Sequence, residues 1–194
     1  MSSPGEAKLV LRSRLRAESK AYSLASSAPA AANLCEQVRN ASVWQAARAV
    51  LLFLPLPSEP DISPLLAAAL ADGKLLALPR FNPATQHYEA VQIHELAREL
   101  VIGPFQVREP VAACPMVPLN RLDLALVPGL GFDLRGRRLG RGKGHYDRLL
   151  AGFDGRKIGV AFDFQIVAEV PCEAHDVPLD AVVTPTRWLA AQRG

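Results

Sequence analysis

Aromatic residues make up only 6% of this 194-residue chain, cysteines number three, and no apolar stretch outruns the nine residues from Ala49 to Pro57. Cys35, Cys114 and Cys172 lie far apart and form no C-x-x-C pair, which excludes a disulfide framework or zinc site and fits a reducing compartment, taken as the cytoplasm. A membrane-spanning helix needs roughly 20 apolar residues, so no segment spans a bilayer. The net charge is only +3, from 22 Lys and Arg against 19 Asp and Glu, too little for bulk nucleic-acid binding. The scarce aromatics also argue against a stacking platform for single strands. Neither a membrane nor a nucleic-acid partner is expected. The chain lacks internal repeats and any marked boundary, so residues 1–194 read as a single domain. Its N-terminal stretch has no apolar signal core. Arg12, Arg14, Arg16 and the serines resemble a transit peptide, but Glu6 and Glu18 dilute that character, and the stretch reads as part of the fold.

What is present is a core. With 49% hydrophobic and 21% charged residues, disorder, collagen and coiled coil are excluded. Residues 5–20 read as a helix with Leu11 and Leu15 inward, and Lys8, Arg12, Arg16 and Lys20 recur every fourth position as one basic stripe. The Ala/Ser/Pro stretch Ser23 to Ala32 reads as a loop before a second helix over Ala30–Asn40. Arg48 to Leu54, Lys74 to Pro79, Leu122 to Val127, Lys157 to Phe162 and Ala181 to Thr184 are apolar runs of strand length, as in a sheet buried on both faces. Between the first two, Ser63 is expected to cap a helix that starts at Pro64 and ends at Gly73. His87 to Ile93 alternates as a further strand, and Gly103 to Leu119 reads as Pro-rich loop. The class is α/β, an open, mainly parallel Rossmann-like sheet with helices on both faces and ligands beyond the carboxyl ends of its strands.

One segment carries chemistry. Between Gly129 and Arg148 lie six glycines and six basic residues, after a buried strand and before a helix expected at Gly144–Leu150. Glycine lets backbone N–H groups approach oxyanions, a helix start offers unpaired donors, and Arg and Lys neutralise charge. A Walker A loop is absent, because Lys143 is followed by Gly144 and Arg137 stands where the leading glycine belongs. The dinucleotide fingerprint fails at His145. A glycine-rich hairpin with solvated arginines remains the bland alternative, and the buried strand before it weighs against that.

These residues resemble the 5-formyltetrahydrofolate cyclo-ligase family, also called 5,10-methenyltetrahydrofolate synthetase. The pattern P-G-[LV]-[AG]-F-D-x-x-G-x-R-L-G-x-G-x-G-[YF]-Y-D-R stands here as Pro128-GLGFDLRGRRLGRGKGHYD-Arg148. The shorter K-x-x-L-R stands here as Lys8-LVL-Arg12, and an acidic loop with Glu59 precedes a helix and a strand ending Pro79-Arg80. The resemblance implies an enzyme that uses ATP and Mg²⁺ to turn 5-formyltetrahydrofolate into 5,10-methenyltetrahydrofolate, releasing ADP and phosphate.

It further implies that Lys8 and Arg12 hold ATP phosphates from the first helix. Arg138, Gly140, Arg141, Gly142, Lys143, Gly144 and His145 would wrap the triphosphate, with Arg148 in support and Lys143 suited to the transferring group. Asp147 and Asp180 correspond to metal-binding aspartates. Glu59 and Tyr146 would act on the folate, and Leu54, Phe81 and Phe105 would wall the pterin. The clearest departure from the pattern is His145, where an aromatic is usual. A monomer or weak dimer is expected. Two other readings stay open: a non-catalytic phosphate or RNA binder built on the Arg/Gly loop, and a sugar-phosphate isomerase or sensor that consumes no ATP. Paired aspartates amid the basic patch favour metal-nucleotide chemistry over a phosphate-backbone binder.

Overall fold

A computed structural model describes residues 3–22, 24–103 and 108–192. Helices α1 (Pro4–Ala21), α2 (Leu24–Asn40) and α3 (Ser42–Ala46) precede strand β1 (Ala49–Leu51), helix α4 (Ser63–Ala71) and strands β2 (Leu75–Asn82) and β3 (His87–Ile93). A small hairpin, β4 (Leu100–Ile102) and β5 (Arg108–Pro110), leads to β6 (Leu124–Pro128). A second hairpin, β7 (Gly131–Phe132) and β8 (Arg138–Leu139), leads to α5 (His145–Leu150), β9 (Arg156–Val160), β10 (Ala181–Val183) and β11 (Trp188–Ala190).

Seven strands form one sheet in the order β11-β10-β9-β6-β1-β2-β3. The five inner strands are parallel, and β3 and β11 close the two edges antiparallel. The α/β expectation therefore holds. Burial on both faces explains the continuous apolar runs. Val50, Leu76, Leu78, Leu124, Leu126 and Ile158 point to one face, where Leu34 and Val38 of α2, Trp44 of α3 and Leu65 and Leu66 of α4 cover them. Leu51, Ala77, Ala125, Val127 and Val182 point to the other, beneath Leu149 and Leu150 of α5 and Phe153. Helix α1 packs elsewhere: Leu15 sits with Leu130, Leu139, Val167 and Val170, so α1 leans on the β7–β8 hairpin.

Three local expectations need correction. The Ala/Ser/Pro stretch is not a loop, because α2 starts at Leu24 and carries Pro29 inside it. Alanines 25, 28 and 30–32 favour helix enough to absorb the one backbone donor that Pro29 lacks. Ser63 is the first residue of α4 rather than its cap; the Asp61 Oδ1 accepts its backbone N–H at 2.9 Å. The Pro-rich segment contains β5, which pairs with β4 in the register Leu100↔Pro110. Its Pro110 is the last residue of that short edge strand, where a missing donor costs nothing in the ladder.

Candidate active site

At the carboxyl ends of the parallel strands a cavity of about 400 Å³ opens, within the range of small-molecule sites. Phe53, Leu54 and Leu56 after β1, Pro79 of β2 and Pro128 of β6 supply apolar wall. Glu59, Tyr88, Glu109, Arg138, Tyr146 and Asp147 supply polar groups. A more open groove of about 600 Å³ runs between α1 and the glycine segment. Arg12, Arg16, Lys20, Arg141 and Lys143 border it, and among the described residues no acid does. Arg16, Arg141 and Lys143 border both spaces, so the groove and the cavity meet.

The glycines set this shape. Gly142 and Gly144 hold φ of +109° and +64°, left-handed values that side chains resist, and Gly144 is the residue just before α5, at its N-cap. Across the groove, Arg12 Nε donates to the Gly140 carbonyl at 3.0 Å, tying α1 to the segment. A Cβ on Gly140 would stand 2.9 Å from Arg138 Nη1, so its absence lets the Arg138 guanidinium tuck beneath the loop.

Arg138 is the buried cation of the site, with 4% of its side chain exposed. Its Nη2 donates to Asp147 Oδ1 at 2.8 Å, its guanidinium carbon lies 5.7 Å from the Tyr146 ring, and its buried Nε has no partner. An unpaired buried donor beside a cavity asks for an acceptor from a ligand. Glu59 is also buried, held by Arg141 Nη2 at 2.9 Å and by the Leu56 N–H at 3.0 Å. Desolvation first, then the Glu59 charge and Tyr88, push the Tyr146 hydroxyl well above the usual tyrosine range. It stays protonated and can serve as a donor rather than a base.

His145 joins an aromatic cluster, edge-on to Phe81 at 5.5 Å and to Tyr88 at 5.0 Å. Arg148 Nη2 donates to the Lys143 carbonyl at 2.9 Å and meets His145 Nδ1 at 3.0 Å. Because a guanidinium only donates, that contact makes Nδ1 the acceptor and leaves the proton on Nε2. Desolvation, then Arg148 and Lys143, lower the imidazole pKa.

Two residues expected in the site lie apart from it. Asp180 lines neither space: it stands at the amino end of β10, where its Oδ2 accepts the Lys157 N–H at 2.8 Å and Oδ1 faces Arg156 at 3.6 Å. Asp147 lines the cavity, and its Oδ1 also accepts the Val177 N–H at 3.5 Å. Lys8, expected on the exposed basic stripe, is buried, and its Nζ pairs with Glu173 and Asp176 at 2.6 Å each. Glu173, His175 and Asp176 place ligand-type atoms within 4.8 Å of one another, but the Lys8 ammonium already neutralises two of them. Phe105 lies outside the described residues. Tyr88, Glu109 and Arg108, by contrast, were not anticipated at the cavity. The alternation of β3 places Tyr88; nothing in the Pro-rich segment marks the other two.

The Lys8 clamp has a pH signature. Burial alone would lower the Lys8 pKa, yet hydrogen bonds to Asp176 and Glu173 leave it raised, while the same contacts outweigh burial at Asp176 and leave it lowered. The clamp's stabilisation is therefore complete between the ordinary values of 3.8 and 10.5. It is lost as pH falls below the first or rises beyond the second. The thermal midpoint of Lys8→Met is expected below wild type across that window, with the difference shrinking at both ends. An unchanged midpoint near neutrality would remove the clamp.

A basic, acid-free groove that meets a partly open, mostly apolar cavity at the strand ends defines an α/β protein with a small-molecule site beside an anion-attracting one. The model of the 5-formyltetrahydrofolate cyclo-ligase family matches residues 4–185. The chain belongs to that family of enzymes. It is 36% identical over 145 residues to the 5-formyltetrahydrofolate cyclo-ligase of Escherichia coli (strain K12), covering 73% of this chain and 80% of that one. With the Mus musculus 5-formyltetrahydrofolate cyclo-ligase it shares 27% identity over 189 residues, 91% and 93% of the two chains. The solved structure of Aquifex aeolicus 5,10-methenyltetrahydrofolate synthetase superposes with a TM-score of 0.85 at 31% identity, covering 96% of this chain and 94% of that one.

Proposed function

We propose that the chain cyclises 5-formyltetrahydrofolate to 5,10-methenyltetrahydrofolate at the expense of ATP, with ADP and phosphate as the other products. The observation that carries this reading is the junction of the two spaces at Arg16, Arg141 and Lys143, with the unpaired donor of Arg138 beside it. The names of the relatives support the substrate.

A formamide oxygen is a poor leaving group. Transfer of the γ-phosphoryl group to that oxygen, with ADP departing, makes it one; N10 then attacks the formyl carbon, phosphate leaves and N10 gives up its proton. Both nitrogens belong to one molecule, so the protein's task is alignment and exclusion of water. In this reading Arg12, Arg141, Lys143, Arg148 and the Gly140–Gly144 backbone hold the triphosphate. Arg138 stabilises charge at the phosphoryl group. Glu59, its oxygens fixed by Arg141 and Leu56, orients the folate, and Tyr146 donates to it. Leu54 and the Phe81–Tyr88–His145 cluster flank the pterin.

Magnesium needs only one or two protein carboxylates beside phosphate oxygens and water. Asp147 fits, since Oδ1 is engaged by Arg138 while Oδ2 accepts no hydrogen bond among the described residues. Asp147 is the residue that would hold the ion, whose charge would offset that of the phosphates.

The methenyl product has a conjugated chromophore that the substrate lacks. Mixing protein, Mg²⁺, ATP and 5-formyltetrahydrofolate is expected to raise near-ultraviolet absorbance in step with ADP, and only when magnesium is present. Folded protein that yields neither product overturns the reading.

A further inference from the structure

Three carboxylates line the cavity, Glu59, Glu109 and Asp147, and Glu109 differs from the other two in having no cation paired with it among the described residues. Glu59 is paired with Arg141 and fixed by a backbone N–H. Glu109, in β5, accepts no hydrogen bond and forms no ion pair among the described residues, although it is half-buried and lines the cavity. Its neighbour Arg108 also reaches the cavity edge, but its guanidinium donates away from Glu109, to the Leu96 carbonyl at 3.4 Å. Desolvation alone raises the Glu109 pKa, with no cation lowering it.

Its position is set by the fold. Glu109 pairs with Val101 across the β4–β5 hairpin, and its carboxyl lies over Gly103, where a Cβ would stand 2.8 Å from Cδ and 2.9 Å from Oε2. Any side chain at residue 103 would displace it. On its other side is Tyr88, whose hydroxyl feels the Glu109 charge more strongly than that of Glu59. The carboxylate is thus held within reach of the Tyr88 hydroxyl's electrostatics and over Gly103, with no donor of its own among the described residues, and such a group is costly to leave unmatched.

A pterin answers that need. The 2-amino-4-oxopyrimidine end of a reduced folate offers two adjacent donors, the exocyclic amino group and the ring N3–H, which match the two oxygens of a carboxylate. We infer that Glu109 is a substrate-binding residue that holds the 2-amino and N3–H edge of the pterin, so that Glu59 remains free to act nearer the formyl group. The inference rests on the function proposed above and adds to it the part of the substrate read by β5.

The experiment compares 5-formyltetrahydrofolate with its 2-desamino-2-methyl analogue, in wild type, Glu109→Ala and the near-isosteric Glu109→Gln. Dissociation constants are measured by calorimetry without nucleotide, and KM values for both substrates by turnover. Wild type is expected to bind the analogue about 10- to 100-fold more weakly than the natural folate, the value of one or two charge-assisted hydrogen bonds. Both variants are expected to lose about that much affinity for the natural folate and to discriminate little between the two ligands. Their KM for ATP should be unchanged. A merely structural Glu109 would lower the thermal midpoint and weaken both substrates alike, leaving discrimination intact; that result, or unchanged folate binding, overturns the inference. Wild-type protein that binds no folate overturns the function itself, and the assignment of Glu109 with it.

Discussion

Turnover is expected to fall about 100- to 1000-fold when Arg138 is replaced by Ala, the usual size of losing one preorganised donor to developing charge. Three features of Arg138 argue for so large an effect: its side chain is only 4% exposed, it pairs with Asp147 at 2.8 Å, and its Nε is left without a protein partner. A guanidinium in that condition is already desolvated and aimed, so little reorganisation is needed when a phosphoryl oxygen arrives. Removing it also leaves the Asp147 carboxylate, 15% exposed, without its cation. Breaking a buried pair in this way costs roughly 3–5 kcal/mol of stability. The two effects separate in Arg138→Lys, which keeps charge but loses the fork geometry. That variant should fold near wild-type stability and still turn over at least tenfold more slowly. Circular dichroism and single-turnover assays on the same samples provide the check, and full activity in either variant would remove Arg138 from the chemistry.

Gly136→Ala is expected to be the most damaging of the conservative changes, lowering stability by about 3–5 kcal/mol and the thermal midpoint by roughly 10 °C. Gly136 closes the turn between β7 and β8 at a φ of +78°, its N–H donating to the Asp133 carbonyl at 3.1 Å. The turn is pinned by Asp133, 2% exposed, whose carboxylate accepts the N–H groups of Arg135, Arg137 and Val170 at 2.9 to 3.0 Å. A Cβ on Gly136 would lie 2.4 Å from the Leu179 carbonyl oxygen and 2.9 Å from the Ala191 Cβ, both rigidly placed. Strain and collision therefore add. Gly73→Ala isolates the first of these, since Gly73 has a φ of +70° but nothing within 4 Å of the added carbon. It should cost only about 1 kcal/mol. Equal midpoints for the two variants would show that the Leu179 contact relaxes.

The parallel sheet and the glycine segment were legible because their signals are local. A buried strand shows itself in its own apolar run, and a tightly turning segment in its own glycines. Lys8 shows where that legibility ends. Helical spacing places it on one stripe with Arg12 and Arg16, but its burial comes from Glu173 and Asp176, separated from it by 165 and 168 residues. Asp180 is a different case: a residue that opens a strand of a parallel sheet lies at its amino end, away from the ligand side, and only the resemblance drew it into the site. Pro29 misleads in the opposite way: read alone it breaks a helix, whereas its alanine neighbours carry α2 through it. Glu109 gave no signal because β5 is three residues long and takes its meaning from Gly103 across the hairpin.

The tether from Arg12 to the Gly140 carbonyl spans 128 residues of sequence, and the Lys8 contacts span more. Closing loops of that length carries an entropic cost that only the finished sheet can offset, so the groove's two banks meet late in folding. On the function proposed above, a nascent or partly folded chain then has no place to hold a triphosphate, and nucleotide can select only molecules whose two ends have already docked. Nucleotide should accordingly slow global unfolding while leaving the early collapse of the inner strands unaltered, which makes occupancy of the groove a report on completed folding.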